Sequence, residues 1–222
     1  MLIQAGACRR VLVCAGDTNS KLIHPLDKQV RMVFGDAGSA ALVEASASSD
    51  WPFVIGTDGT RGDALKIPAG GCRQPCSEFS RRAKQDKQGN TRTDENLFMD
   101  GMEIMNFSLR EIPPAIEALL AKRGWEKEEV GVYALHQANK FMVDYLRRKM
   151  KLPAEAVPMG IETMGNTGPA SIPLLLTLKH EQLIAARGLD KTVMCGFGVG
   201  LSWAATAGNL SDTVFPDLVE VS

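Results

Sequence analysis

Between residues 98 and 120 apolar side chains return at every third or fourth position: Phe98, Met102, Met105, Leu109, Ile112, Ile116, Leu119 and Leu120. That spacing lays one stripe along a helix, with Gly124 as its stop signal. Short strand-like runs flank it at 11–15, 53–56, 132–135, 193–196 and 201–207, and helical stretches at 140–149 and 170–187 separate the later ones. Strands alternating with helices need a sheet covered on its faces, which is an α/β fold. The methionines of the stripe read as core. Pro113 and Pro114 would break one continuous helix, so two helices meeting near Glu111 are expected. Residues 31–44 (RMVFGDAGSAALVE) read as strand, close-packed turn, strand.

A chain of 222 residues with 45% apolar and 23% charged side chains can bury a sizeable core. Its 25 basic and 26 acidic residues nearly cancel, which removes any global electrostatic case for nucleic acid or an anionic membrane. No run approaches the roughly 18 apolar residues of a membrane span. The five cysteines are an odd number in a chain too large to need disulfides, which fits a reducing cytoplasm. Cys72 and Cys76 lack a second ligand pair nearby and read as loop thiols rather than a zinc site; no metal is expected. From Gly59 to about Asn96 the chain is rich in Gly, Pro and charge, a surface excursion. The opening LIQAG reads as the end of a helix. One turn nucleates poorly, so the helix is expected to begin upstream of Met1 and the chain to be a fragment.

Three small-residue clusters stand out: GDAGS at 35–39, GNTGPAS at 165–171 and GFGVG at 196–200. The third is no dinucleotide fingerprint, because a strand-like segment and a short tail follow it instead of a helix. The first lacks the GK[ST] of a phosphate loop. His136 ends a strand within HQAN, and Asn166 follows thirty residues later in a Gly-rich turn. A His beside an Asn can form a hydrogen-bonding couple at a carbonyl, although spacing alone leaves a purely structural pair open.

The ordered set FGDAGSAA, FMDG, HQAN, MGNTGPASIP and GFGVGLSWA resembles the second half of enzymes of the 3-oxoacyl-acyl-carrier-protein synthase III (ketoacyl synthase III) family. The likeness runs from about Leu2 to Ala207, leaving out the excursion at 73–96 and the tail. It implies a thiolase-like, layered αβαβα fold, with 1–50 the end of the first half, 51–209 the second half and 210–222 a tail. It also implies fatty-acid-type acyl transfer. A Cys takes an acyl group from a coenzyme A thioester, and a malonyl thioester, on coenzyme A or an acyl carrier protein, is decarboxylated and condensed onto it. No permanently bound cofactor is implied.

By the same resemblance His136 and Asn166 donate hydrogen bonds to the enolate oxygen, and the N–H of Val199, where the family usually has Gly, serves the acylation oxyanion. Phe197 and Gly198 line the site, Asn139 helps fix its hydrogen bonds, and Lys28 stands where an Arg meets the coenzyme A nucleotide. The nucleophilic Cys aligns upstream of Met1, so the chain alone is expected to be inactive. The positions of two carrier-docking basic residues hold Asn106 and Phe141, for which Lys140 and the cluster Arg147, Arg148, Lys149 would have to substitute. A homodimer, or pairing with the missing half, is expected, with residues 32–43 near the interface. The alternatives are a non-catalytic partner subunit of a heterodimeric synthase and, far behind, a Cys peptidase, whose CG[SA]C[WY] run is absent.

Overall fold

A computed structural model describes residues 2–46 and 50–220; Met1 and the end of the tail lie outside it. Its strands and helices, in chain order, are β1 (Arg10–Asp17), α1 (Lys28–Arg31), β2 (Ala37–Glu44), β3 (Phe53–Thr57), β4 (Leu65–Lys66), β5 (Lys84–Gln85), β6 (Thr91–Arg92) and β7 (Phe98–Met99). Then follow α2 (Gly101–Arg123), β8 (Val132–Leu135), α3 (Lys140–Met150), α4 (Ile161–Met164), α5 (Ser171–Ala186), β9 (Thr192–Gly198) and β10 (Ser202–Gly208). The main sheet is mixed and runs β3-β10-β9-β8, antiparallel except for the parallel pair β8–β9. β1 and β2 form a separate antiparallel ribbon in which Val13 faces Ala41.

Strand alternation sorts the core. Tyr133, Leu135, Val193, Cys195 and Phe197 join the cluster built with α2 and α3, while Val132, Ala134 and Met194 join the one built with α5. Because α5 also touches β2, it lies between the main sheet and the ribbon. The described layers are therefore helix, sheet, helix, ribbon. This is the mixed α/β, thiolase-like arrangement expected from the sequence. On the ribbon Leu12, Val13, Leu42 and Val43 are all exposed.

Several local readings change. The prolines do not split α2, which runs unbroken through Pro113 and Pro114. A proline removes the N–H that would bond four residues back; for Pro113 the freed acceptor is the Leu109 carbonyl, and the Lys149 ammonium of α3 donates to it at 2.5 Å. Along the stripe Ile112, Ile116 and Leu119 are fully buried, as is Phe107 beside it, but Met102 is exposed and Met105 only half-buried. Asp100 caps the start, accepting from the N–H groups of Met102 and Glu103, and Gly124 ends the helix in the left-handed conformation.

Residues 31–44 contain one strand, not two. Asp27 caps the short α1, accepting from the Gln29 N–H, and this turn consumes the segment read as the first strand. The opening LIQAG has the bonding of a helix end. Gly6 N–H donates to the Ile3 carbonyl, Ala7 N–H to the Leu2 carbonyl, and Gly6 has φ +71°. The segment 73–96 carries a small hairpin of β5 and β6. Arg92 anchors it to Asp27 at 2.6 Å and to Asp86 at 2.8 Å, with Asp27 almost wholly buried.

Where β3 meets β10, Gly56 faces Trp203, and a Cβ on Gly56 would stand 2.1 Å from the indole. The indole also meets Phe107 of α2 edge-on, so it cannot yield toward the core without losing that contact. Gly56→Val should therefore lower the stability of the chain by about 1–3 kcal/mol. Urea unfolding followed by tryptophan fluorescence checks this; an unchanged midpoint would mean that the ring is not seated on the glycine.

Candidate active site

His136 follows the last residue of β8. Its N–H donates to the Cys195 carbonyl at 2.8 Å, extending the parallel pairing with β9 by one residue. Just past the strand end, the imidazole meets groups from both sides of the sheet, Ser171 from the start of α5 and Phe197 from the α2 and α3 side. There Nδ1 lies 2.7 Å from the Ser171 hydroxyl, at the first residue of α5, and the Phe197 ring meets the imidazole edge-on with centroids 5.3 Å apart. Burial pushes the imidazole pKa down to about 4, because the protein around the ring replaces water that would stabilise a cation. At neutral pH the ring is uncharged.

The following residue, Gln137, is wholly buried. Its Nε2 donates to the Leu135 carbonyl at 2.8 Å and its Oε1 accepts from the Gly160 N–H at 3.0 Å, which ties the strand end to the loop before α4. Asn139 is the N-cap of α3, accepting from the Met142 N–H at 2.8 Å. Its side chain thereby sets where α3 begins.

Asn166 sits in the Gly-rich turn before α5 and is clamped three times. Its N–H donates to the Val33 carbonyl at 2.8 Å, and its carbonyl accepts from the Gly35 N–H at 2.9 Å. Its side-chain Oδ1 accepts from the Gly168 N–H at 3.0 Å. With the amide oxygen held in this way, Nδ2 is left as a two-proton donor. A Cβ on Gly35 would stand 2.3 Å from the Met164 carbonyl oxygen, so only glycine permits this approach.

The turn 166–171 thus begins with Asn166 and ends with Ser171, the partner of His136. Phe197, 7% exposed, completes this group. Gly198 adjoins it, where a Cβ would meet no atom within 4 Å. Val199 occupies the tight turn between β9 and β10 with its side chain exposed and φ outside the positive region. Lys28 opens α1, exposed, and no hydrogen bond among the described residues joins it to His136 or Asn166. Among the described residues no three His, Cys, Asp or Glu side chains gather as a metal site would require. Ser171, Gln137 and Gly168 were not picked out from the sequence. The ASIP run around Ser171 reads only as a helix start, and nothing in its spacing points back across thirty-five residues to His136.

Among the described residues no hydrogen bond joins a cysteine to His136. Cys195 is completely buried in the cluster built with α2 and α3, with its thiol pushed up to about 12 by burial. Cys14, Cys72 and Cys76 are exposed, and Cys8 is half-buried ahead of β1. What remains is a neutral imidazole at the C-terminal end of a parallel strand, hydrogen-bonded to Ser171 at the end of the turn that opens with Asn166, whose amide oxygen is engaged.

A mixed sheet over a helical layer is a thiolase-like fold. The chain belongs to the 3-oxoacyl-[acyl-carrier-protein] synthase III family. The family's own model matches residues 1–59 and the model of its C-terminal part residues 120–210. A beta-ketoacyl-[acyl-carrier-protein] synthase III of Lactococcus lactis subsp. lactis is 34% identical over 94% of this chain and 62% of that protein. A putative 3-oxoacyl-[acyl-carrier-protein] synthase 3 of Campylobacter jejuni is 33% identical over 95% and 58%. A crystal structure of a 3-oxoacyl-(acyl-carrier-protein) synthase III superposes with TM-score 0.88 at 45% identity over 94% of this chain and 62% of its own. One from Burkholderia xenovorans gives 0.81 at 41% over 94% and 58%. The chain spans about three fifths of the length of the relatives it matches.

The depressed pKa of His136 has a consequence for stability. The unfolded chain takes up this proton near pH 6.5, the folded chain only near 4, so stability is full above 6.5 and falls as the pH drops through that window, by about 3 kcal/mol at most. Urea unfolding at pH 7 and pH 4.5 should reveal the loss, and His136→Gln, which cannot titrate, should make the acid sensitivity smaller. An equal loss in both proteins would remove His136 as its source.

Proposed function

We propose that this chain is the decarboxylating part of a ketoacyl synthase III-type acyltransferase, in which the acyl-carrying cysteine comes from residues outside this sequence. The observation that carries the reading is that Asn166 Oδ1 accepts from the Gly168 N–H and His136 Nδ1 is paired with the Ser171 hydroxyl, which leaves Asn166 Nδ2 and His136 Nε2 for a substrate oxygen. When a malonyl thioester loses carbon dioxide, the electron pair of the broken C–C bond moves onto the thioester oxygen as an enolate. Donors aimed at that oxygen bind the transition state more tightly than the neutral carbonyl, because charge develops there. The enolate carbon then attacks the acyl thioester carbonyl, and the departing cysteine sulfur leaves as thiolate. In this scheme the oxyanion of the acyl step is met by the N–H of Val199, which makes no hydrogen bond within the described residues. Phe197 and Gly198 flank it.

The buried Cys195, with a raised pKa, supports a nucleophile supplied from elsewhere. The helix-end bonding of residues 2–7 agrees with this, as the related families place the nucleophile on the helix that ends here. A coenzyme A thioester is the acyl donor in this reading, with Lys28 near its nucleotide and Asn139 positioning α3. Carrier docking would draw on Lys140 and the Arg147, Arg148, Lys149 cluster. Lys140 is paired with Glu162, Arg147 with Asp144 and Lys149 with a backbone carbonyl, so a carrier has to compete with these contacts.

Exposed Leu12, Val13, Leu42 and Val43 on the ribbon leave apolar area for a further layer, which we assign to a complementary segment and a dimer partner near residues 32–43. A non-catalytic partner subunit of a heterodimeric synthase is the second reading; it rests on the same exposed face and the same lack of a placed thiol.

Incubated alone with radiolabelled acetyl coenzyme A and a malonyl thioester, the chain should form neither acyl-enzyme nor ketoacyl product; turnover would overturn the proposal. Co-expression with the amino-terminal two fifths of the Lactococcus relative should restore condensation, and His136→Ala or Asn166→Ala should then lower it by about 10²–10³-fold. Complementation that also fails with wild-type donors would favour the partner-subunit reading. Sedimentation of the chain alone should show self-association, reduced by Leu42→Lys; a monomer at all concentrations would contradict the assigned layer.

A further inference from the structure

We propose that Ser171 is a positioning residue that fixes His136 as the Nε2–H tautomer by donating its hydroxyl proton to Nδ1. This rests on the functional reading above only in what the tautomer is for. Ser171 is 1% exposed, and its Oγ lies 2.7 Å from His136 Nδ1. Either atom can donate across that distance, so the choice depends on what else each proton can reach.

If Nδ1 carried the proton and donated to Oγ, the hydroxyl proton would need another acceptor. Among the described residues Ser171 Oγ has no other hydrogen-bond partner, and the side chain is buried. The carbonyl one turn back, on Thr167, accepts from the Ala170 N–H, and no hydrogen bond from the Ser171 hydroxyl to it is present. A buried hydroxyl proton with no acceptor is costly. If the hydroxyl donates, both groups are satisfied, Nδ1 is an acceptor and the ring proton sits on Nε2. The opposite tautomer would leave Nε2 as a bare lone pair, unable to donate to any enolate.

The position of Ser171 reinforces the choice. It opens α5, a sixteen-residue helix whose positive end disfavours a second proton on the ring. The depressed imidazole pKa acts in the same direction. The same turn that aims Asn166 Nδ2 therefore also sets the proton of His136, so two donors are prepared by one loop.

The other two histidines serve as internal references. His180 Nδ1 faces the Thr177 carbonyl at 2.9 Å, which can only accept, so that ring must be protonated at Nδ1. His24 Nδ1 accepts from the Leu26 N–H at 3.1 Å, so a neutral His24 carries its proton on Nε2.

The test is a long-range proton–nitrogen correlation spectrum of the whole chain labelled with ¹⁵N-histidine at pH 7.5, with His136 assigned by its loss in His136→Gln. His136 should match the Nε2–H pattern of His24 and differ from His180. In Ser171→Ala the ratio of Nε2–H to Nδ1–H should fall by roughly tenfold, the worth of one hydrogen bond; Ser171→Thr should restore it. An Nδ1–H pattern in the wild-type chain overturns the proposal without any substitution, and so does an unchanged ratio in a folded Ser171→Ala. The readout needs no substrate. Failure of condensation therefore leaves the tautomer assignment standing, while a wrong tautomer in an active complemented enzyme sinks this inference alone.

Discussion

The short backbone seam between residues 33–35 and Asn166 is the contact on which the site depends. Asn166 exchanges hydrogen bonds with Val33 and Gly35, which locks the turn before α5 onto the segment leading into β2. Nothing larger than a hydrogen on Gly35 fits against Met164. The seam joins parts of the chain more than 120 residues apart and sets the start of α5. Through α5 it sets both the layer under the main sheet and the hydroxyl that meets His136. A side chain at position 35 would therefore disturb the donor pair and the layering together.

The chemistry of the pair follows from occupation rather than from charge. His136 is uncharged at neutral pH because burial opposes the imidazolium, and Asn166 never carries charge. In the proposed reading their donor character comes from having the alternative atom already engaged, Oδ1 by the Gly168 N–H and Nδ1 by Ser171. A preset neutral donor need not reorganise as negative charge grows on a substrate oxygen, which is the physical basis of oxyanion stabilisation. The same pair in water would rotate freely and lose that advantage.

Much of the fold was legible. Periodicity located α2, α3, α5 and most strands to within a few residues, and Gly124 marked the end of α2 correctly. The failures share one cause, a local rule overridden by a distant partner. Pro113 should have broken α2, but the carbonyl it frees is taken by Lys149 from another helix. Met102 falls on the apolar stripe yet is exposed, because the neighbouring layers cover Phe107 and Ile112 instead. Residues 31–35 look like a strand and serve as a clamp, since capping by Asp27 turns the chain before a ladder can form.

His136 and Asn166 were singled out from the HQAN and GNTG runs, and the sequence also determined the family, since order and identity of short motifs survive without coordinates. Glycine at position 35 was visible as well, without its reason. Tertiary structure alone decided that Gly35 meets Asn166, that Cys195 is completely buried in the cluster built with α2 and α3, and that Ser171 reaches the imidazole. Each depends on which face a strand or helix presents to an element far away in the chain, and a linear pattern records periodicity along one element but not the partner it meets.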